Sequence, residues 1–191
     1  MLSMNDLKPG VTFLLDGDPY LILDAKHLML GRGGSVLQTR LKNLRRGTVL
    51  ERNFKQADTF EEASVEKKPV VFIYAHRDEY WFHEKGKPQA RFKLPEALVA
   101  EARQWLKPNL EAEAFMIDEK ILTIVLPIKL DLLVKEAPPG VKGDTAQGGV
   151  KTVVLETGAK VNVPLFINAR DVIRVNTETG EYVERVAKAK S

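Results

Sequence analysis

Turn signals interrupt this chain too closely for long helices to grow. Leu7-Lys8-Pro9-Gly10 precedes the apolar run at 11–15, and Asp16-Gly17-Asp18-Pro19 separates it from a run at 20–30. Gly31-Arg32-Gly33-Gly34-Ser35 divides that run from 36–44, and Arg45-Arg46-Gly47-Thr48 leads into the alternating residues 49–54. Short β-forming runs bounded by Gly, Pro and Asp read as strands joined by turns, and strands at this spacing fold as a small barrel. This first module is expected to span residues 1–63.

The same punctuation continues through a second module at 64–127 and a third at 128–191. Strands are expected at Val70-Val71-Phe72-Ile73-Tyr74, Tyr80-Trp81-Phe82, Ala114-Phe115-Met116-Ile117 and residues 121–126. One short helix is expected after Pro95, with Leu98, Ala102, Trp105 and Leu106 on one face and Pro108 as its stop, which makes Trp105 a core residue. In the third module, residues 129–136, 150–155, 160–164, 172–175 and 182–185 read as strands. Short strands with one helix across two modules fit five-stranded oligonucleotide-binding barrels. No letter-level internal repeat is visible.

Several functional classes fall away. There is no cysteine, which removes disulfides and thiolate metal sites and suits a reducing compartment. The start Met1-Leu2-Ser3-Met4-Asn5-Asp6 lacks a signal-peptide pattern, and no apolar run reaches membrane-spanning length, so a soluble cytoplasmic protein that makes no use of a membrane is expected. His27, His76 and His83 lack the spacing and carboxylate company of a metal site. The phosphate-binding GxxxxGK[ST] and GxGxxG patterns and the nucleophile-bearing GxSxG are missing. Nothing assembles a nucleophile, a base and an orienting group, so a binding protein is expected, with neither catalytic residues nor a cofactor.

Charge is distributed unevenly. From Lys26 to Lys55 there are eight basic residues, Arg40, Lys42, Arg45 and Arg46 among them, against the single acid Glu51. The acids Asp16, Asp18, Asp24, Asp58, Glu61 and Glu62 flank the stretch. Such a stripe is the footprint expected for a phosphate backbone, and a solvated strand face is the alternative. The middle module balances ten basic against ten acidic residues between Val65 and Pro127 and shows no preference for polyanions. Within the stripe, the loop glycines Gly31, Gly33 and Gly34 surround one long side chain, Arg32. A guanidinium on a glycine-bare turn can enter a crevice and meet a phosphate or a base edge; alternatively it only aids solubility.

The stretch from Ala137 to Gly149 is long for a connection and rich in Gly, Pro and small polar residues, as functional or mobile loops are. Asp144 and Thr145 can bond their own backbone, and Gly143 leaves amides open to a ligand.

Pro138-Pro139-Gly140-Val141-Lys142-Gly143-Asp144-Thr145, Leu155-Glu156-Thr157-Gly158-Ala159, Val163-Pro164-Leu165-Phe166-Ile167 and Thr179-Gly180-Glu181-Tyr182 follow one another in an order that resembles the bacterial elongation factor P family. Leu7-Lys8-Pro9-Gly10, Gly31-Arg32-Gly33 and Leu41-Lys42-Asn43-Leu44 agree with it. The resemblance covers essentially the whole chain, and the stretch at 75–113 is its least familiar part.

The resemblance implies an all-β protein of three small barrel domains in an L-shape of tRNA-like size. An SH3-like (KOW-like) N-terminal barrel is followed by two oligonucleotide-binding barrels. It implies a monomer that binds the 70S ribosome between the P and E sites, contacts ribosomal RNA and the CCA end of peptidyl-tRNA in the P site, and relieves stalling at consecutive prolines. The family's tip residue falls on Arg32, flanked by Gly31, Gly33 and Gly34. In an arginine-bearing subgroup that position is rhamnosylated, which makes an arginine rhamnosyltransferase a candidate partner. Leu30 stands where a proline is common before lysine-type tips, so Arg32 bare and Arg32 modified both remain open. Arg40, Lys42, Arg45 and Arg46 would hold RNA phosphates, and Gly143, Asp144 and Thr145 match the loop facing mRNA at the E site.

Two rival readings belong to other classes. One is a general single-stranded RNA-binding protein built on oligonucleotide-binding barrels, against which stands an aromatic content of only 7%. The other is an enzyme with an acid pair hidden in the fold.

Overall fold

The structure, a computed structural model, describes residues 1–29, 35–139 and 149–189. Arg32 with Gly31, Gly33 and Gly34, and the loop residues Gly143, Asp144 and Thr145, lie outside the described residues. Backbone contacts group the chain into two compact units, Met1–Pro69 with Glu113–Ile124, and Val70–Ala112 with Val125–Ser191. Secondary structure is almost entirely antiparallel β, arranged in three sheets.

The first sheet has the order β1-β6-β2-β3-β4-β5. Its strands are β1 (Leu2–Ser3), β2 (Thr12–Leu15), β3 (Asp18–Met29), β4 (Ser35–Asn43), β5 (Val49–Lys55) and β6 (Thr59–Glu62). The β2–β3 turn carries Asp16 and Gly17 at φ of 52° and 83°, the paired left-handed conformation whose twist suits a tight hairpin. Phe13, Ile22, Leu37, Leu41, Phe54 and Phe60 close the core over the short helical turn Met4–Asp6. Phe54 meets Phe60 edge-on at 4.7 Å, and Phe13 meets Phe60 at 5.2 Å. The expectation that β3 and β4 would be long strands either side of the glycine-rich stretch matches the structure.

The second sheet has the order β11-β10-β7-β8-β9, from β7 (Glu66–His76), β8 (Glu79–Glu84), β9 (Lys87–Pro95), β10 (Glu111–Ile117) and β11 (Lys120–Val125). The third has the order β14-β13-β12-β15-β16, from β12 (Lys129–Glu136), β13 (Val150–Leu155), β14 (Lys160–Pro164), β15 (Val172–Asn176) and β16 (Tyr182–Ala187). Numbered from its own first strand, each five-stranded sheet reads 3-2-1-4-5, the strand order of an oligonucleotide-binding barrel. In the third sheet β14 also lies against β16, its own third strand against its fifth. One topology is therefore used twice without repeated letters.

The helical segment sits between β9 and β10 but is shorter than its spacing suggested. Only α1 (Glu96–Val99) is α-helical, and Ala100–Trp105 continues as tighter 3-10 turns. Pro95 ends β9 instead of opening the helix. Ala102, Trp105 and Leu106 are buried as expected, Trp105 at 2% exposed, but Leu98 is only half-buried and its neighbour Val99 is buried in its place.

Candidate functional site

The β3–β4 hairpin is paired through to Met29 opposite Ser35, and residues 30–34 join these two ends. A register shift between Ile22 and Asp24 places a bulge at Leu23, just past the last residue of β3 paired with β2, Leu21 opposite Thr12. The paired segment beyond it spans Asp24–Arg40 to Met29–Ser35, five residue steps or about 17 Å at a strand's rise. Strand β5 accompanies it almost to the end, pairing Val36 with Lys55 and Leu37 with Phe54. The hairpin is thus a three-stranded arm over most of its length. Met29, its last described residue before the join, is 92% exposed.

Strand alternation decides which cations share a face. Thr39, Leu41 and Asn43 point inward and are buried, so Arg40 and Lys42 share the outward face, as expected. Arg52 aligns instead with buried Thr39 on the other face and reaches Asp16 at 3.4 Å. Arg40 stands in register between Asp24 on β3 and Glu51 on β5.

Arg45 and Arg46 are held by the chain around them. Asn43, 1% exposed, accepts the backbone N–H groups of both Arg45 and Arg46 on Oδ1 at 2.9 Å. Its Nδ2 donates to the Asp18 carboxylate at 3.0 Å. Asp18 also faces Arg46 at 3.3 Å and Arg45 at 3.9 Å, so one carboxylate serves two guanidiniums. Gly47, at φ 73°, completes the turn by donating its N–H to the Asn43 carbonyl.

The basic stripe is therefore less one-sided in space than along the chain. Asp16, Asp18 and Asp24 flank it in sequence, yet antiparallel pairing folds them back among the cations. Asn43 and Asp18 were not singled out from sequence as site residues. The signal that could have found them is an Asn directly ahead of a Leu-Arg-Arg-Gly turn, since Asn side chains cap turns two and three residues onward.

Near the third-module loop, Lys151 Nζ donates to the Pro138 carbonyl at 3.0 Å, and Gly149 packs so closely on Leu165 that a Cβ there would lie 2.8 Å from it. In the same sheet's module, the Asp171 carboxylate is fully buried. Burial pushes its carboxyl up, but the N–H groups of Asn168 and Ala189 and the Arg185 guanidinium outweigh that and hold it below the usual range. Asp131 is likewise held low, chiefly by the double hydrogen bond from Arg174 at 2.7 and 3.0 Å, against a smaller opposing effect of burial. These acids pin β15 and β16 within the third sheet.

Among the described residues no helix is long and apolar enough to cross a membrane. A basic β arm on one small sheet, followed by a topology used for oligonucleotide binding, defines a β-domain translation factor, and family comparison agrees. Residues 3–60 match the family described as the elongation factor P (EF-P) KOW-like domain, and residues 130–185 match elongation factor P, C-terminal. Elongation factor P of Moorella thermoacetica is 39% identical over 97% of this chain and 100% of its own. That of Coprothermobacter proteolyticus is 39% identical over the same shares. The chain belongs to the elongation factor P family: it is a translation elongation factor that associates with the ribosome, not an enzyme. Among solved structures, translation initiation factor 5A from Methanococcus jannaschii aligns at 17% identity with a TM-score of 0.38 over 64% of this chain and 94% of that one, too slight a likeness to place any residue.

Proposed function

We propose that the chain binds the ribosome between the P and E sites and stimulates peptide-bond formation at consecutive prolines by steadying the CCA end of peptidyl-tRNA. The observation that carries this reading is the long β3–β4 arm, whose two ends at Met29 and Ser35 are joined by the stretch containing Arg32. Proline is a stiff, poor nucleophile, so a factor that holds the reacting ends together accelerates the step through orientation alone. No proton passes through Arg32, and the ribosome performs the chemistry.

Arg40, Lys42, Arg45 and Arg46 hold ribosomal RNA or tRNA phosphates in this reading. Gly143, Asp144 and Thr145 meet mRNA at the E site. The chain works as a cytoplasmic monomer in three modules, 1–63, 64–127 and 128–191. Arg32, bare or rhamnosylated by a dedicated transferase, is its working end.

The test is synthesis of a Pro-Pro-Pro peptide in a reconstituted translation system, with ribosome co-sedimentation in the presence of competitor RNA. This reading expects faster synthesis on proline runs, little effect on proline-free templates, and binding that survives competitor. Equal binding to any single-stranded RNA, without stimulation, favours the general RNA-binding alternative.

A further inference from the structure

The outward face of the second sheet carries an aromatic pair that the reading above does not use. Phe72, Tyr80 and Phe82 point inward and are buried, so alternation turns Trp81 outward on β8. A register shift between Phe72 and Tyr74 brings Tyr74 of β7 opposite it. The two rings stack, with centroids 6.0 Å apart and planes 20° from parallel, and Tyr74 is 45% exposed. On the other side of Trp81, in register on β9, Lys93 holds its Nζ 6.0 Å from the ring centroid and 2.6 Å from Glu79 Oε1. Trp81 therefore sits between an ammonium and a phenol ring, and Tyr74 is the part of the stack left to a ligand.

Two guanidiniums bracket the stack along the strands. Arg91 is in register with His83, two residues or about 7 Å from Trp81. Arg77 stands at the other end, on the tight β7–β8 turn, where Arg77 and Asp78 take φ of 48° and 61°. Both arginines are exposed, and among the described residues neither has a carboxylate partner. In the barrel's own numbering β7, β8 and β9 are strands one to three. The face of strands two and three, with the loop between one and two, is the surface that this topology presents to oligonucleotides.

We propose that this face binds single-stranded RNA. A base stacks on Tyr74 and extends the Tyr74–Trp81 stack, and the guanidiniums of Arg77 and Arg91 take flanking phosphates. Lys93 is engaged by Glu79, so it braces Trp81 and adds little charge for the nucleic acid. Two phosphate contacts give a log–log salt slope of about −1.4, at roughly −0.7 per contact on a single strand. The even count of acids and bases in the middle module fits this balance: the rings supply the affinity and the two arginines orient the strand. The contact is independent of Arg32 and of any effect on proline runs.

The test is an NMR titration of the isotope-labelled full chain with hexauridylate. Shifts are expected on Tyr74, Ala75, Arg77 and the Trp81 indole N–H. Tyr74→Ala, at an exposed position, is expected to weaken binding at these resonances on the order of tenfold, Tyr74→Phe to leave it within about twofold, and Arg77→Gln to flatten the salt slope by about 0.7. No shifts on this face, shifts confined to the β3–β4 arm, or unchanged affinity in Tyr74→Ala overturn the proposal. So does Tyr74→Phe binding as weakly as Tyr74→Ala, which assigns the effect to the hydroxyl and not to stacking. On 70S ribosomes a photoreactive side chain at the exposed position 75 then separates the sources: label on tRNA, ribosomal RNA or mRNA each supports the face as an RNA site, and label confined to ribosomal protein overturns it.

Discussion

Asn43 and Asp18 are joined by a 3.0 Å hydrogen bond from amide to carboxylate across the base of the arm. Through it, one buried side chain shapes the Arg45–Arg46 turn while the acid it holds faces both guanidiniums. Shape and charge of the turn are set by the same pair.

Asn43→Ala removes three hydrogen bonds at a buried position and leaves backbone donors unpaired. It is expected to lower stability by about 2 kcal/mol, read as a shift in the urea midpoint. Asp18→Asn retains an oxygen near the amide and removes the charge, so it is expected to cost less stability and to raise ribosome affinity at low salt. Lower affinity in Asp18→Asn at unchanged stability would count against the turn as a phosphate contact.

Ribosome affinity is expected to fall steeply with salt, because each phosphate neutralised releases a condensed counterion. Arg40→Ala, Lys42→Ala, Arg45→Ala and Arg46→Ala should each flatten the log–log slope, by at most about one unit per contact. Arg52→Ala, on the other face and paired with Asp16, should leave the slope nearly unchanged. A flat dependence for the unsubstituted protein removes the arm's cations from the binding step.

Within the second unit, Lys107 Nζ donates at 2.9 Å to both the Asp131 carbonyl and Glu156 Oε1, and that same oxygen accepts the Leu133 N–H at 3.0 Å. Glu156→Gln keeps an acceptor for Leu133 and loses only the charge, whereas Glu156→Ala loses both. The alanine variant is expected to be the less stable by about 1 kcal/mol in urea titration. Equal losses would mean that the charge pair alone matters.

Both Asp131 and Asp171 have carboxyls held below the usual range in the folded protein. A lowered folded value means stability that is fully present above the unfolded value, about 3.9, and is lost as pH falls through the folded one. Acid unfolding monitored on third-sheet residues should therefore begin below about pH 4 and should be shallower in Asp171→Asn than in the unsubstituted protein. An identical acid limb in both would contradict this origin.

How much was legible in sequence follows from burial. Strands β3 and β12 to β15 were readable because their buried residues are apolar; β4 was readable from Leu37 and Leu41 although Thr39 and Asn43 are also buried, and β16 from the Thr-Glu-Thr-Gly turn before it, since none of its residues is buried. Strand β9 escaped because only Leu94 in it is buried, while two lysines, an arginine, a glutamine and two prolines make up most of the rest. The helix was overestimated because the apolar spacing of Leu98, Ala102, Trp105 and Leu106 is also served by one α turn followed by 3-10 turns, which bury the last three and leave Leu98 half-buried. The basic stretch was legible as composition. Its partial neutralisation by Asp18 and Asp16 was not, since strand pairing, not chain order, brings those acids beside the arginines.

The central claim is that the arm acts through Arg32, and the most direct measurement compares Arg32→Ala with the unsubstituted protein in Pro-Pro-Pro synthesis, with ribosome binding measured in parallel. The account predicts retained folding, ribosome binding within a few-fold, and loss of the proline-run stimulation. Full stimulation by Arg32→Ala would contradict it.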